Sequence, residues 1–214
     1  MVKYVAMKKK LRVGFDFDGV IAYNPLRTVR LPISLFGRLF GKEDSVVTYF
    51  PKSKFEQALW ILIHETSFFP SVGFDKLQIL LKDDTVECYI LTSRYACLES
   101  SFYRWLKKHK IDRSFKGYYL NKKNELPHKF KERIIRKLNL DYYVDDNWGI
   151  VDYLNGKTVS SKNKNREVTS ERNDYLHTEI HWIYNILERS NPYKRKHPYL
   201  GKFVDVIREK KQKK

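Results

Sequence analysis

Apolar residues follow two alternating patterns along the chain: short continuous runs, and longer stretches in which they recur about every 3.6 residues. Three short runs predict buried strands at residues 11–17 (LRVGFDF), 86–93 (VECYILTS) and 141–147 (DYYVDDN), and a fourth predicts a strand at 115–120. Helical length or spacing predicts helices over 54–69, 75–84, 97–111, 130–140 and 175–189. The elements therefore alternate between strand and helix over most of the chain.

This alternation favours an α/β fold, with a Rossmann-like parallel sheet flanked by helices. Residues 24–54 interrupt it with an irregular segment that contains three prolines and two glycines. Residues 156–174 are polar and predict a loop. The sequence ends in the basic run REKKQKK, which we expect to be disordered, and we assign residues 191–214 to a basic C-terminal tail.

Acidic and hydroxyl side chains stand where three of the predicted strands end. They are Asp16 and Asp18, Thr92 and Ser93, and Asp145 and Asp146. Ligands of an open parallel sheet bind at the carboxyl ends of its strands, so we expect these side chains to meet at one edge. Up to four carboxylates at one point would repel one another, which favours a bound hard cation such as Mg²⁺.

Such a site suits phosphoryl transfer. One carboxylate can attack phosphorus and form an aspartyl-phosphate. A second carboxylate two residues further on can protonate the leaving oxygen and then activate water. A hydroxyl and a lysine would hold the non-bridging phosphate oxygens, where charge lies in the transition state.

The same residues resemble the motifs of the haloacid dehalogenase-like (HAD) superfamily. DFDGV at 16–20 looks like the first motif, CYILTSR at 88–94 resembles the second, and YYVDDN at 142–147 resembles the fourth. Lys131 stands where the third-motif lysine is expected, with Lys129 as a competitor two residues away. The ordered match covers about residues 11–150.

The resemblance implies a HAD-like core and a role for each matching residue. It implies that Asp16 is the nucleophile and Asp18 the general acid/base, with the Asp18 backbone carbonyl also at the metal. Phosphate binding is implied for Thr92, Ser93 and Lys131, and Mg²⁺ binding for Asp16, Asp18, Asp145 and Asp146.

Several roles stay open. Ser93 could instead cap the following helix. Arg94 could clamp the substrate phosphate or be a surface charge. Asp18 implies a phosphatase rather than a dehalogenase, although phosphotransferases and phosphomutases share the aspartyl-phosphate step.

The gap of about seventy residues between the first two motifs resembles the cap of small-capped, 5′-nucleotidase-like HAD phosphatases. It implies a small, mainly helical cap at 24–72, inserted after the first strand, and a core domain of residues 1–23 and 73–190. Caps exclude water and select substrates. The predicted substrate is a nucleotide or another small phosphorylated metabolite.

Net charge widens the range of substrates. The chain has 42 Lys and Arg against 25 Asp and Glu, a formal charge of +17. Such a balance suggests nucleic acid, phosphorylated substrates or a membrane surface as partners, or a solvated basic face without one. Two alternatives therefore stand beside the metabolite phosphatase: a phosphatase of nucleic-acid ends, and a catalytically silent HAD-fold module that binds nucleic acid or protein.

The remaining features are less specific. Two cysteines, Cys88 and Cys97, form no disulfide framework, and the N-terminus does not read as a signal peptide, which favours a reducing cytoplasmic setting. His177 and His181 are spaced for a shared metal on a helix, but without a third ligand packing or surface placement is favoured. The basic aromatic stretch at 102–110 could bind nucleic acid or form a core stripe.

Overall fold

The structure is a computed structural model, and it describes residues 10–23, 68–156 and 176–212 together with Ser53, Lys54, Ala58 and Ile61. In chain order its elements are β1 (Leu11–Phe15), β2 (Ala22–Tyr23), β3 (Phe69–Pro70), α1 (Phe74–Leu80), β4 (Val86–Thr92), α2 (Glu99–Lys108), β5 (Gly117–Leu120), α3 (Pro127–Leu138), β6 (Tyr142–Asp145), α4 (Trp148–Leu154), β7 (Glu179–Ile183), β8 (Lys196–His197) and α5 (Leu200–Gln212). Short 3₁₀ turns lie at Ala96–Leu98 and Ile186–Glu188.

Six strands form one parallel sheet in the order β5-β4-β1-β6-β7-β8. The predicted α/β class is therefore confirmed, as are the four predicted strands and the helices of α1, α2 and α3, with ends shifted by a few residues. β1 lies between β4 and β6, and Phe15 is in register with Ile90 on one side and Val144 on the other. The residues that follow these three strands therefore share the middle of one sheet edge.

Alternate side chains of each strand enter separate cores on the two faces of the sheet. On one face, Phe15 and Ile90 pack with residues of α1, α2 and α5. On the other, Leu91 and Tyr143 pack with residues of α3 and α4. Both faces are covered, which explains why the central strands read as continuous apolar runs.

The aromatic side of α2 belongs to the first of these cores. The ring of Phe17 meets those of Phe102 and Trp105 edge to face, with centroids 4.9 and 5.0 Å apart. Lys107 and Lys108 lie exposed on the same helix. The core-stripe interpretation of residues 102–110 is confirmed.

The helix predicted at 175–189 is wrong, because residues 179–183 form strand β7. Ile180 and Trp182 pack on one face of the sheet and Ile183 on the other. Because this strand is buried on both faces, its apolar residues do not follow a strict period of two, and periodicity alone does not distinguish such a stretch from a helix.

The expected disorder of the terminal basic run is wrong for residues 208–212, which belong to α5, and the segment 191–214 contains both β8 and α5. β8 extends the sheet, and α5 buries four apolar residues, Leu200, Phe203, Val204 and Ile207. These positions are spaced i, i+3, i+4 and i+7, which is the apolar face of an amphipathic helix. The basic residues 208–211 are the last turns of that helix.

The two ends of the predicted cap lie side by side. β2 pairs antiparallel with β3, with Ala22 opposite Pro70 and Tyr23 opposite Phe69. Phe69 is thus in a strand, and the predicted helix 54–69 does not reach it. Most of the predicted cap, 24–72, and most of the polar segment 156–174 lie outside the described residues, so the cap and its boundaries stay predictions.

Gly73 follows this pair and opens α1 with a φ of 86°. A Cβ atom at Gly73 would run into the backbone of Gly201, near the start of α5. The Gly201 amide donates to the Val72 carbonyl, at 3.1 Å. A glycine is required here by both the left-handed conformation and the close approach of two helices.

None of the described helices combines the length and apolarity needed to cross a membrane.

Candidate active site

Asp16 and Asp145 meet because of the register between β1 and β6. Phe15 is paired with Val144, and the Asp16 amide donates to the Val144 carbonyl, at 2.9 Å. Each aspartate is therefore one residue beyond a paired position on neighbouring strands. Both are buried, with 6% and 0% of their surfaces exposed.

Lys131 reaches both carboxylates from α3, which covers this face of the sheet. Its Nζ lies 3.1 Å from Asp16 Oδ1 and 2.6 Å from Asp145 Oδ2, and the residue is 1% exposed. Lys129 is exposed, and its ammonium lies over the Tyr153 ring, 5.7 Å from the centroid. Of the two candidate lysines, the structure places Lys131 in the site.

Two further groups hold the Asp145 carboxylate. The Tyr143 hydroxyl donates to Oδ2 at 2.7 Å, and the Asn147 amide donates to Oδ1 at 2.9 Å. Tyr143 was not among the residues predicted for the site. Its place could have been predicted, because it stands two residues before Asp145 and residues two apart on a strand share a face.

Asp146 extends the acidic group toward the loop after β1. A Cβ atom at Gly19 would overlap the Asp146 carboxylate, and Gly19 has a φ of 81°. The Asp146 backbone carbonyl accepts a hydrogen bond from the Trp182 indole, at 3.1 Å. The glycine of DFDGV thus makes room for the second acid of YYVDDN, a motif that lies far away along the chain.

Burial and charge shift the pKa values of this group. Burial raises the pKa of Asp16 well above its usual value, the Lys131 ammonium opposes this, and Asp145, Asp146 and Asp18 add to it. Burial disfavours the Lys131 ammonium, but Asp145 and Asp16 outweigh it and raise the pKa of Lys131. Lys131 is therefore a fixed positive charge beside Asp16.

Asp16, Asp145 and Asp146 together could hold a metal ion. One oxygen from each lies within 4.8 Å of the others, and all three residues are buried. A set of carboxylate oxygens is the donor chemistry that Mg²⁺ prefers. A divalent cation here would also relieve the repulsion that raises the pKa of Asp16. The residues present fit Mg²⁺.

The Asp18 carboxylate pairs with Arg94. Arg94 Nε donates to Oδ2 at 2.8 Å, and Nη2 donates to Oδ1 at 2.7 Å. The side chains are 3% and 12% exposed. Arg94 is thus not a surface charge, and its fork engages Asp18. This pair could not be predicted from the sequence, because no spacing rule links residues 76 apart.

The two hydroxyl residues at the end of β4 differ in their contacts. Thr92 is buried at the last position of β4, and its Oγ1 accepts from the Arg94 amide at 3.2 Å. Ser93 Oγ is buried and has no hydrogen-bond partner within the described part of the chain. The turn at 96–98 and α2 begin without a side-chain cap, so Ser93 caps neither.

The two histidines of the predicted helix lie apart from this edge. His177 is exposed, and His181 is buried in β7, where its ring stacks on that of His197 with centroids 5.1 Å apart. The packing interpretation holds for His181 and the surface interpretation for His177.

Comparisons with known proteins agree with this architecture. No family model and no curated protein matches the sequence. A protein assigned as a β-phosphoglucomutase from Thermotoga maritima superposes with a TM-score of 0.55 at 14% identity, over 94% of this chain and 99% of that one. The HAD-hydrolase YfnB from Bacillus subtilis, solved with magnesium bound, gives 0.52 at 10% identity over 94% and 100% of the two chains. A haloacid dehalogenase-like hydrolase from Bacteroides fragilis gives 0.50 at 13% identity over 91% and 100%. These similarities show that the chain has a HAD-like fold.

Proposed function

We propose that this HAD-fold protein is a magnesium-dependent phosphomonoester hydrolase that acts through an aspartyl-phosphate on Asp16. The observation that carries the proposal is the buried Lys131 ammonium, 3.1 Å from Asp16 and 2.6 Å from Asp145, in a group of three carboxylates. Such an arrangement offers a nucleophile, a fixed positive charge and metal ligands at one point.

The residues of the candidate site have distinct parts in the proposed reaction. Asp16 attacks phosphorus, the bond from phosphorus to the leaving oxygen breaks, and Asp18 supplies a proton to that oxygen. Asp18 then takes a proton from water, whose oxygen attacks phosphorus and frees the Asp16 carboxylate. Lys131 neutralises charge on the non-bridging oxygens, and Thr92 and Ser93 would donate hydrogen bonds to them.

Asp16, Asp145 and Asp146 would hold Mg²⁺, with the Asp18 carbonyl as a further ligand. When bound, the metal neutralises phosphate charge and orients the phosphoryl group for in-line attack. The buried Ser93 hydroxyl supports a phosphate site in particular, because an unpaired buried hydroxyl is costly unless a ligand completes it.

The proposed substrate is a nucleotide or another small phosphorylated metabolite. A second candidate is the phosphorylated end of a nucleic acid, which the +17 charge favours through release of counterions from the polymer. Salt distinguishes the two. Activity on phosphorylated oligonucleotides would fall steeply with salt in the second case, whereas activity on mononucleotides would change little.

The test is phosphate release from mononucleotides, sugar phosphates and 5′- or 3′-phosphorylated oligonucleotides, with Mg²⁺ and with EDTA. We expect release that needs Mg²⁺ and is lost in Asp16→Asn, which keeps the shape of the side chain and removes its nucleophilic oxygen. Lys129→Met is the matched control, because this exposed lysine lies outside the site. Release that persists in Asp16→Asn would overturn the nucleophile. No release from any compound, together with metal-independent binding of nucleic acid or protein, would instead favour the catalytically silent module.

A further inference from the structure

We propose that Arg94 is a positioning residue that fixes the general acid/base Asp18, rather than a ligand of the substrate phosphate. The proposal rests on the hydrolase function proposed above. Bidentate pairing of a guanidinium with a carboxylate sets both distance and plane, which a single hydrogen bond does not.

Each guanidinium nitrogen of Arg94 already has a protein partner. Nε and Nη2 donate to the two Asp18 oxygens at 2.8 and 2.7 Å, and Nη1 donates to Ser101 Oγ at 3.3 Å. These contacts use three of the five guanidinium N–H donors, and Asp18 takes both donors of the Nε–Nη2 edge. A phosphate could therefore form a bidentate contact with that edge only if Asp18 gave it up. The geometry favours Asp18 as the group that Arg94 serves.

Contacts with neighbouring residues also restrict the Arg94 side chain. The Ser101 hydroxyl donates to the Leu98 carbonyl at 3.0 Å, which fixes the third contact. The guanidinium carbon lies 4.6 Å from the centroid of the Phe17 ring, next to Asp18 in sequence. With the side chain 3% exposed, the fork has little freedom to turn.

Positioning of Asp18 matters because it sits on an irregular turn. β1 ends at Phe15, and Asp18 lies beyond it, in an isolated bridge to Ala22. The sheet thus fixes Asp16 but does not extend to Asp18. Arg94 connects Asp18 to the end of β4, so the acid/base and the nucleophile are anchored to neighbouring strands.

The role makes a specific kinetic prediction, because only some leaving groups need a proton. An aryl ester such as p-nitrophenyl phosphate expels a stable anion, whereas an alkyl phosphomonoester needs its leaving oxygen protonated. The ratio kcat/KM reports steps up to the release of the leaving group. We expect Arg94→Gln and Arg94→Lys to lose roughly 10- to 100-fold more kcat/KM on the alkyl ester than on the aryl ester.

Arg94→Lys keeps the charge but lacks the fork, so it remains informative if Arg94→Gln folds poorly. The matched control is Arg113→Gln, which removes a charge from a side chain that is 96% exposed and should leave both esters unaffected. In the Asp18→Asn background, the Arg94 substitutions should add little further loss on the alkyl ester, since the group they position is gone. Inhibition by inorganic phosphate should stay unchanged.

The outcomes separate the two proposals. A wild type without turnover on either ester would overturn the hydrolase, and the role of Arg94 with it. A wild type that turns over, with Arg94 variants that lose equally on both esters and bind inorganic phosphate more weakly, would overturn positioning alone and make Arg94 a phosphate ligand. Variants with no loss on either ester would also overturn positioning.

Discussion

Lys131 Nζ lies 2.6 Å from Asp145 Oδ2 although the two residues come from different elements, a helix and the strand that follows it. The contact buries an ion pair completely, with side-chain exposures of 2% and 0%. A buried pair adds little net stability over apolar residues, yet the loss of one partner is costly. This pair is therefore better explained by a role in the proposed reaction than by a contribution to the stability of the fold.

Lys131→Met tests this pair. We expect phosphate release to fall at least 100-fold, by analogy with other groups that stabilise transition-state charge. The free energy of unfolding should fall by roughly 3–5 kcal/mol, because two buried carboxylates, Asp16 and Asp145, lose their ammonium partner. Activity assays and urea unfolding measure the two effects. Added Mg²⁺ should restore more stability to this variant than to the wild type, and Lys129→Met should match the wild type throughout.

Gly19→Ala should disturb the acidic group through Asp146. The φ of 81° alone costs about 1–2 kcal/mol for a residue with a Cβ atom. The added methyl group would also displace the Asp146 carboxylate and weaken Mg²⁺ binding. Gly156→Ala is the matched control, since Gly156 has a φ of 78° but follows α4 away from the site. Calorimetric titration with Mg²⁺ that gives the same affinity for both variants would contradict the expectation.

Phe203→Ala should show that α5 is part of the core. Phe203 is fully buried, and its ring meets that of Phe15 edge to face, with centroids 5.6 Å apart. Truncation of a buried phenylalanine costs about 3–5 kcal/mol. Urea unfolding measures the loss, and Lys202→Ala on the exposed side of the same helix is the control. A loss of unfolding free energy below about 1 kcal/mol would contradict the assignment of residues 200–212 to the core.

The stacked histidines predict a loss of stability in acid. Burial lowers the pKa of His181 to about 3, with His197, Arg195 and Lys210 adding to the effect, and burial lowers the pKa of His197 to about 4. Glu179 Oε1 lies 3.0 Å from His181 Nε2, but the contact lacks hydrogen-bond geometry, so it does not offset the burial.

Because both histidines are neutral in the folded protein and charge near pH 6.5 when unfolded, the unfolded state binds more protons below that pH. Their contribution is complete above about pH 7 and is lost as the pH falls toward about 4. Urea unfolding at several pH values should show a smaller acid loss in His197→Asn than in the wild type. His177→Asn, at an exposed position, should follow the wild type.

Much of the site could be predicted from local patterns. The apolar runs that end in Asp16, Thr92 and Asp145 located the edge of the sheet, since buried parallel strands read as continuous hydrophobic stretches. The acidic pairs and the lysine then fell where such an edge places them. This worked because each motif is set by its own strand and the turn after it.

The rest depended on contacts between distant parts of the chain. No local sequence pattern predicts the pairing of Arg94 with Asp18 or the close approach of Gly19 to Asp146. β7 was predicted as a helix because the apolar residues of a short strand buried on both faces lack a strict period of two. α5 could have been predicted, because its apolar residues are spaced i, i+3, i+4 and i+7 in the sequence. The basic residues at its end led to the prediction of a tail instead.

The pairing of Ala22–Tyr23 with Phe69–Pro70 has a consequence for how such a protein can diverge. The chain leaves the core after Tyr23 and returns to it at Phe69, and these two points are paired neighbours in β2 and β3. The entropy of closing a flexible loop rises by only about 0.6 kcal/mol for each doubling of its length. Insertions, deletions or wholesale replacement between these two short strands are therefore cheap for the scaffold. The segment and the catalytic edge can evolve as separate modules, with one altered while the other is inherited intact.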